Sequence, residues 1–119
     1  PDGSQIAYQR RDGLYVIPAL GGTPRRIARF DTLISIANVT WAPNGAFFVI
    51  DSRSAGLMSI PAEGGEARQI TKPENGNDHQ PAISPDGRTV AFVRRTSTFN
   101  SSLMLLSLTS EGLAAGGLG

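Results

Sequence analysis

The sequence predicts an all-β protein built from repeated, four-stranded antiparallel sheets, and three features of the 119-residue chain support this. A Pro-Asp-Gly or Pro-Asn-Gly motif recurs at equal intervals, at positions 1–3, 43–45 and 85–87. A second motif, Ile-Pro-Ala-x-Gly-Gly, occurs at 17–22 and again at 60–65. Glycine and proline also interrupt every window in which a helix could form. Together these features indicate a repeat protein made of short strands joined by tight turns.

The first motif predicts a tight turn at each of its three positions. Proline presets φ for the first central position of a type I turn, and Asp or Asn is tolerated at the second. Glycine then takes the left-handed position that closes a bulged hairpin. We therefore assign structural turns to the following residues: Pro43, Asn44, Gly45, Pro85, Asp86 and Gly87.

The second motif predicts another chain reversal in each repeat. Its glycine pairs are predicted to form tight hairpin loops that need positive φ. Between these turns the central repeat has room for four strands, which we name A to D by their order in the repeat. They are predicted at 37–42, 47–51, 57–60 and 67–71.

The B strands indicate how the repeats pack. Residues 47–50 and 89–93 are apolar at nearly every position instead of alternating. Such a strand is covered on both faces, whereas a β-sandwich would leave one face in water. A four-stranded sheet covered on both sides by its neighbours is a blade of a β-propeller. The predicted fold is thus about three incomplete blades of a larger propeller, with bounds 1–33, 34–75 and 76–119.

The repeat resembles the TolB-type, WD40-like β-propeller repeat, also called PD40. The matching stretches are Trp-Ala-Pro-Asn-Gly at 41–45, Ser-Pro-Asp-Gly at 84–87, Val-Ala-Phe at 90–92 and Arg-Gln-Ile-Thr at 68–71. The resemblance extends over essentially the whole chain. It implies a non-catalytic, protein- or peptide-binding or sensor module of a larger bacterial protein, such as a winged-helix regulator or a TolB-like protein. The alternative is the gating domain of a prolyl-oligopeptidase-type serine peptidase whose catalytic domain is not in this chain.

The predicted blades do not complete a ring, because propellers need roughly four to eight blades. Strand A is missing before residue 1, and no Arg-x-Leu-Thr segment closes the third repeat. The remaining blades are therefore expected from a longer parent chain or from self-association, and the parent chain is favoured. The resemblance leans slightly towards the bacterial periplasm over the cytoplasm.

Loops from D to A and from B to C should share one end of the blades, and binding residues tend to lie in loops on a rigid scaffold. The candidate partner-binding rim consists of Arg11, Arg53, Arg95, His79 and Phe99. The periodic arginines suit a carboxylate or an acidic peptide. The favoured interpretation is that each arginine ties one blade to the next. Phe99 is expected either to anchor a partner or to fold over the blade edge.

His79 stands beside Asp78, which raises the question of a catalytic or metal site. The chain has no G-x-S-x-G stretch, no cysteine and no second histidine. Asn75, Asn77 and Asp78 do not have calcium-loop spacing. We therefore expect no catalytic residue, cofactor or metal, and a solvated turn with His79 hydrogen-bonded locally. Trp41 is expected to wedge between adjacent blades.

The charge of the chain narrows the classes of partner. Eleven Lys and Arg residues against ten Asp and Glu residues leave a net charge of +1, so no global field favours nucleic acid or a membrane surface. The basic doublets at 10–11, 25–26 and 94–95 are interpreted as solvated strand ends. No segment approaches the roughly 20 apolar residues of a membrane span. A protein or peptide partner is expected, and nucleic acid is not.

Overall fold

A computed structural model of the chain describes residues 3–10, 13–29, 36–52, 56–74, 76–97 and 99–115. Within these ranges the chain forms ten β-strands arranged in three antiparallel sheets. The described part has no helix of the length and apolar character that crossing a membrane requires. The all-β fold class that the turn motifs predict is confirmed.

Each sheet is one blade, and its strands are neighbours in chain order. Blade 1 contains β1 (Gln5–Arg10), β2 (Gly13–Pro18) and β3 (Arg25–Arg29). Blade 2 contains β4 (Ile36–Trp41), β5 (Phe47–Ser52), β6 (Leu57–Pro61) and β7 (Arg68–Gln69). Blade 3 contains β8 (Asn77–Ile83), β9 (Thr89–Ser97) and β10 (Asn100–Ser107).

The turns between the A and B strands are closed by short backbone hydrogen bonds. Gly45 N–H donates to the carbonyl of Ala42 at 2.8 Å, and Gly87 N–H donates to the carbonyl of Ser84 at 2.8 Å. Both glycines have positive φ, 76° and 74°. Proline and Asn or Asp therefore occupy the central turn positions, and glycine takes the left-handed position after them.

The glycine pairs do not form the tips of their hairpins, so this prediction is wrong. Gly21 N–H donates to the Pro18 carbonyl at 3.0 Å, and Gly64 N–H donates to the Pro61 carbonyl at 3.0 Å. The tips are therefore the residue pairs 19–20 and 62–63. The glycines have positive φ, as expected, because the chain leaves each turn through the left-handed region.

The fourth strand is shorter than predicted. In blade 2 the segment 67–71 contributes only β7, Arg68–Gln69, which pairs with Met58 and Ser59 of β6. In blade 3 the corresponding part of the described chain is a turn, in which Gly112 N–H donates to the Thr109 carbonyl at 3.1 Å, and an isolated bridge between Leu108 and Ala114.

Two apolar clusters hold the three blades together, one at each interface. Phe48 and Ile50 of β5 pack with Leu14 and Val16 of blade 1. Alternate residues of the same strand, Phe47 and Val49, pack on the other side with residues of blade 3, including Phe92. All four β5 side chains are fully buried. The predicted coverage of this strand on both faces is confirmed. Trp41 packs against the first cluster and stacks on Phe48, with ring centroids 4.7 Å apart.

Candidate binding rim

Antiparallel pairing places the loop that enters strand A (β8) and the loop from strand B to strand C (β9 to β10) at the same end of blade 3. Asn77 at the start of β8 lies opposite Arg95 near the end of β9. The β9–β10 hairpin, with Phe99 at its tip, turns at this same end. We call this end the rim and define it by His79, Arg95 and Phe99. The opposite end, which we call the turn end, carries the Pro-Asn/Asp-Gly turns and Leu20.

Phe99 does not fold over the blade edge. Its side chain is 94% exposed. The hairpin around it has an irregular register between Asn100 and Ser101, and the hydroxyl of Thr96 donates to the Asn100 carbonyl at 3.4 Å. A phenylalanine this exposed at a loop tip is available to a partner, which is the arrangement of an aromatic anchor.

The Arg95 side chain is also exposed, and its guanidinium forms no hydrogen bond or ion pair with another described residue. Within the described part of the chain Arg95 therefore does not tie one blade to the next, contrary to the favoured expectation. Arg11 and Arg53, the other members of the periodic set, lie outside the described residues, as does Asn75. The proposed arc of guanidinium groups remains a prediction at those two positions.

A shallow depression of about 170 Å³ opens between blades 2 and 3 beside Arg95. Its lining is Asn38, Asp51, His79, Gln80, Val93 and Arg95. His79 is half-buried in it. The depression therefore joins two of the predicted rim residues, His79 and Arg95, into one surface, and Phe99 lies on the hairpin that continues from β9.

The buried carboxylate of Asp51 links two blades beneath this depression. It accepts hydrogen bonds from the Asn38 backbone N–H at 2.7 Å and the Asn38 side-chain amide at 2.8 Å. It also accepts one from the Gln80 backbone N–H of blade 3 at 2.9 Å. Gln80 holds this position with φ of 56°. These three donors compensate the buried charge of Asp51 without an ion pair to Arg95. The Arg95 side chain is therefore exposed to solvent.

Asp78 does not act together with His79. Both of its oxygens accept from Arg94, at 2.8 Å from Nε and 3.1 Å from Nη2. Asp78 is fully buried, and its hydrogen bonds raise the pKa of Arg94 above its ordinary value. Successive residues of a strand point to opposite faces, so Asp78 faces away from His79. In the described part of the chain, no group of three or more His, Cys, Asp or Glu residues could hold a metal ion.

Sequence reasoning missed the arginines that do connect the blades. Arg25 of blade 1 donates to the carbonyls of Ala62 and Glu63 in the blade 2 turn, both at 3.4 Å. Arg68 of blade 2 donates to the Glu111 carbonyl in the blade 3 turn at 2.9 Å. The sequence does indicate a shared role for these two arginines, because each follows an Ile-Pro-Ala-x-Gly-Gly motif at the equivalent position. The connection lies at the turn end, so the rim is left free of it.

Comparison with solved structures supports the propeller fold. No family model and no curated protein matches the chain. Among solved structures, a protein from Agrobacterium tumefaciens described as TolB matches with a TM-score of 0.74 and 21% identity, over 94% of this chain and 44% of that one. TolB from Acinetobacter baumannii matches with a TM-score of 0.68 and 17% identity, over 92% and 28%. Puromycin hydrolase matches with a TM-score of 0.69 and 15% identity, over 97% and 22%.

These findings define the class of protein. The chain consists of partial β-propeller blades stacked face to face. Their arrangement is that of a TolB-like propeller. The chain spans less than half the length of each of these structures, and at these identities the likeness shows the fold alone.

Proposed function

We propose that the chain is a non-catalytic propeller module that binds a protein or a peptide through the rim. The observation that supports this most is the fully exposed Phe99 on the same hairpin as the solvent-exposed Arg95. Membership of the PD40 repeat family, and a place in a larger bacterial protein such as a winged-helix regulator or a TolB-like protein, are part of this proposal. The TolB-like fold supports it.

The chemistry of the rim indicates which residue types the partner should contain. An exposed aromatic ring binds best in an apolar pocket or against another apolar side chain, and aromatic residues dominate binding energy at interfaces. The guanidinium of Arg95 pairs with a carboxylate through two parallel hydrogen bonds. The depression beside it admits a small side chain. The expected partner is therefore a segment that combines an apolar residue with a nearby Asp or Glu.

A phage-displayed library of random peptides tests this proposal. Peptides selected on the wild-type chain should be enriched in an apolar residue near an acidic one. Phe99→Ala and Arg95→Glu should each raise the dissociation constant of a selected peptide by at least about tenfold, measured by fluorescence polarisation. The melting temperature should stay within about 2 °C of wild type, because both side chains are exposed.

The turn end supplies matched controls. Leu20 is as fully exposed as Phe99, and Arg88 is an exposed arginine like Arg95. Leu20→Ala and Arg88→Glu should leave peptide affinity unchanged. Equal losses in the rim and control variants would show that the rim is not the binding surface.

A second candidate function is a gating propeller of a prolyl-oligopeptidase-type serine peptidase. The fold likeness to puromycin hydrolase supports it. This function requires a catalytic α/β domain with a G-x-S-x-G nucleophile elbow in the parent reading frame. Sequencing that reading frame decides the matter, since a winged-helix domain or no further enzyme domain in it would end this alternative.

A further inference from the structure

Blade 2 carries an asparagine followed by a glycine in the turn between β4 and β5. Asn44 is exposed, and there is open space where a Cβ of Gly45 would lie. Asparagine before glycine is the sequence most prone to deamidation, because a residue without Cβ leaves its backbone nitrogen accessible to the preceding side chain. The chain has a second such pair at 75–76, and Asn75 lies outside the described residues. The turn of blade 2 is therefore a candidate modification site.

The reaction uses two neighbouring residues and water. The backbone nitrogen of Gly45 loses its proton to solvent base and attacks Cγ of Asn44. The bond from Cγ to Nδ2 breaks, and Nδ2 takes up a proton and leaves as ammonia. Water then opens the five-membered imide, at Cγ to give aspartate or at the backbone carbonyl to give isoaspartate. The net change replaces an amide by a carboxylic acid, with one water consumed and one ammonia released.

In the folded protein each group that reacts has a hydrogen bond. Gly45 N–H donates to the Ala42 carbonyl at 2.8 Å. The Asn44 side-chain oxygen accepts from Ala46 N–H at 2.9 Å, and Nδ2 donates to the Ser110 carbonyl of blade 3 at 3.3 Å. A backbone nitrogen that keeps its proton does not attack, and a side-chain amide bonded at both ends does not rotate towards it. The turn therefore slows the reaction relative to an unfolded chain.

The hydrogen bond to blade 3 is the longest of these three, and it depends on a different part of the fold. The other two lie within the turn of blade 2 itself. Ser110 belongs to the 109–112 turn, which Arg68 also holds by donating to the Glu111 carbonyl at 2.9 Å. Loss of the Arg68 bond should therefore release Nδ2 of Asn44 more often.

We propose that Asn44 is a deamidation site, and that the contact between blade 2 and the 109–112 turn of blade 3 sets its rate. The product has a carboxylate where Asn44 has a donor, so it no longer bonds the Ser110 carbonyl. The aspartate form can keep a turn like that of Asp86 in blade 3, whereas isoaspartate adds a methylene to the backbone of the turn. Deamidation therefore weakens the junction of blades 2 and 3 at the turn end, and it is independent of binding at the rim.

Peptide mapping by mass spectrometry during a long incubation in mildly alkaline buffer tests this proposal. The wild-type chain unfolded in urea should form acid at position 44 fastest. Folded Arg68→Ala should react about two to ten times faster than folded wild type, because it loses one hydrogen bond that holds the 109–112 turn. Asn44→Gln should give no acid at this position within the same period.

The repeat supplies a matched control. Arg25→Ala removes the equivalent arginine, which bonds the carbonyls of Ala62 and Glu63 instead, and it should react at the wild-type rate. Gly112→Ala lifts the 109–112 turn by a different route and should also accelerate the reaction. Circular dichroism at the incubation temperature identifies the variants that are folded.

Three results would overturn the proposal. Equal rates in folded and unfolded wild type would show that the turn does not protect Asn44. Equal rates in Arg68→Ala and Arg25→Ala, or no acceleration in folded Arg68→Ala or Gly112→Ala, would show that the blade 3 turn does not set the rate. An absence of acid at position 44 in every folded chain would show that Asn44 is not a modification site of this protein.

Discussion

Asn44 and Asp86 occupy the same place in two successive turns, and only one of them is charged. The Asn44 side-chain oxygen accepts from Ala46 N–H at 2.9 Å, and Asp86 accepts from Arg88 N–H at 2.9 Å. Asp86 also accepts from the Ser84 hydroxyl, which holds the pKa of Asp86 below its ordinary value of 3.8. Blade 2 has Ala42 where blade 3 has Ser84, so of these two turns the one in blade 3 alone has this bond.

This difference predicts a pH dependence. A carboxyl whose pKa is lowered by folding stabilises the protein above its unfolded pKa, and the contribution disappears as the pH falls through the folded pKa. Asp86→Asn should therefore unfold at slightly lower urea than wild type at pH 7, and this difference should disappear as the pH falls below 3.8 and through the lowered pKa of Asp86. Asn44→Asp, which has no serine partner, should show a weaker pH dependence. A constant difference at all pH values would contradict this.

The buried carboxylate of Asp51 predicts a larger effect. Its removal leaves the Asn38 and Gln80 donors without their acceptor between two blades. Asp51→Ala should therefore lower the free energy of unfolding by about 2–4 kcal/mol, measured by chemical denaturation. Glu63→Ala, at an exposed carboxylate of the same blade, should change it by less than about 0.5 kcal/mol. Similar losses in both variants would show that Asp51 does not connect the blades.

Among the elements, the turn at 109–112 joins blade 3 to blade 2. Gly112 is buried with φ of 87°, and a Cβ there would lie 2.5 Å from the ring of Phe47 and 2.6 Å from Ser59 Oγ. Arg68 and Asn44 of blade 2 donate to carbonyls of the same turn. A residue with any side chain would lift the turn from its neighbour.

Two glycine substitutions separate steric clash from backbone strain. Gly21 has φ of 96° and open space around it. Gly21→Ala should cost about 1–2 kcal/mol from positive φ alone. Gly112→Ala adds the clash and should cost about 2–5 kcal/mol in total. Thermal and urea denaturation measure both values, and equal costs would mean that the turn does not rest on blade 2.

The turns and the doubly covered strand could be predicted from the sequence because each depends on local chemistry. Pro-Asn/Asp-Gly fixes its own φ values, and an unbroken apolar run needs cover on two faces. The position of the hairpin tip at 62–63 could not be predicted, because it depends on where β6 stops pairing. The blade-connecting role of Arg25 and Arg68, and the partner of Asp51, depend on atoms of the next blade, which no single repeat specifies.

On the scale of the whole molecule, the residues that hold the blades together and the residues of the rim lie on different surfaces. The apolar clusters and the arginine contacts occupy the blade faces and the turn end. The three rim residues contribute to neither cluster. This separation is the reason that rim variants are expected to change affinity without changing the melting temperature.

The hairpin tip at Phe99 projects beyond the part of β9 and β10 that packs against blade 2 through Phe92, Met104 and Leu106. Replacement of that tip by a segment of different length or composition would alter no contact between sheets. The same stack could therefore acquire new recognition properties by drift in a few loop positions, while selection on its interior continues unchanged.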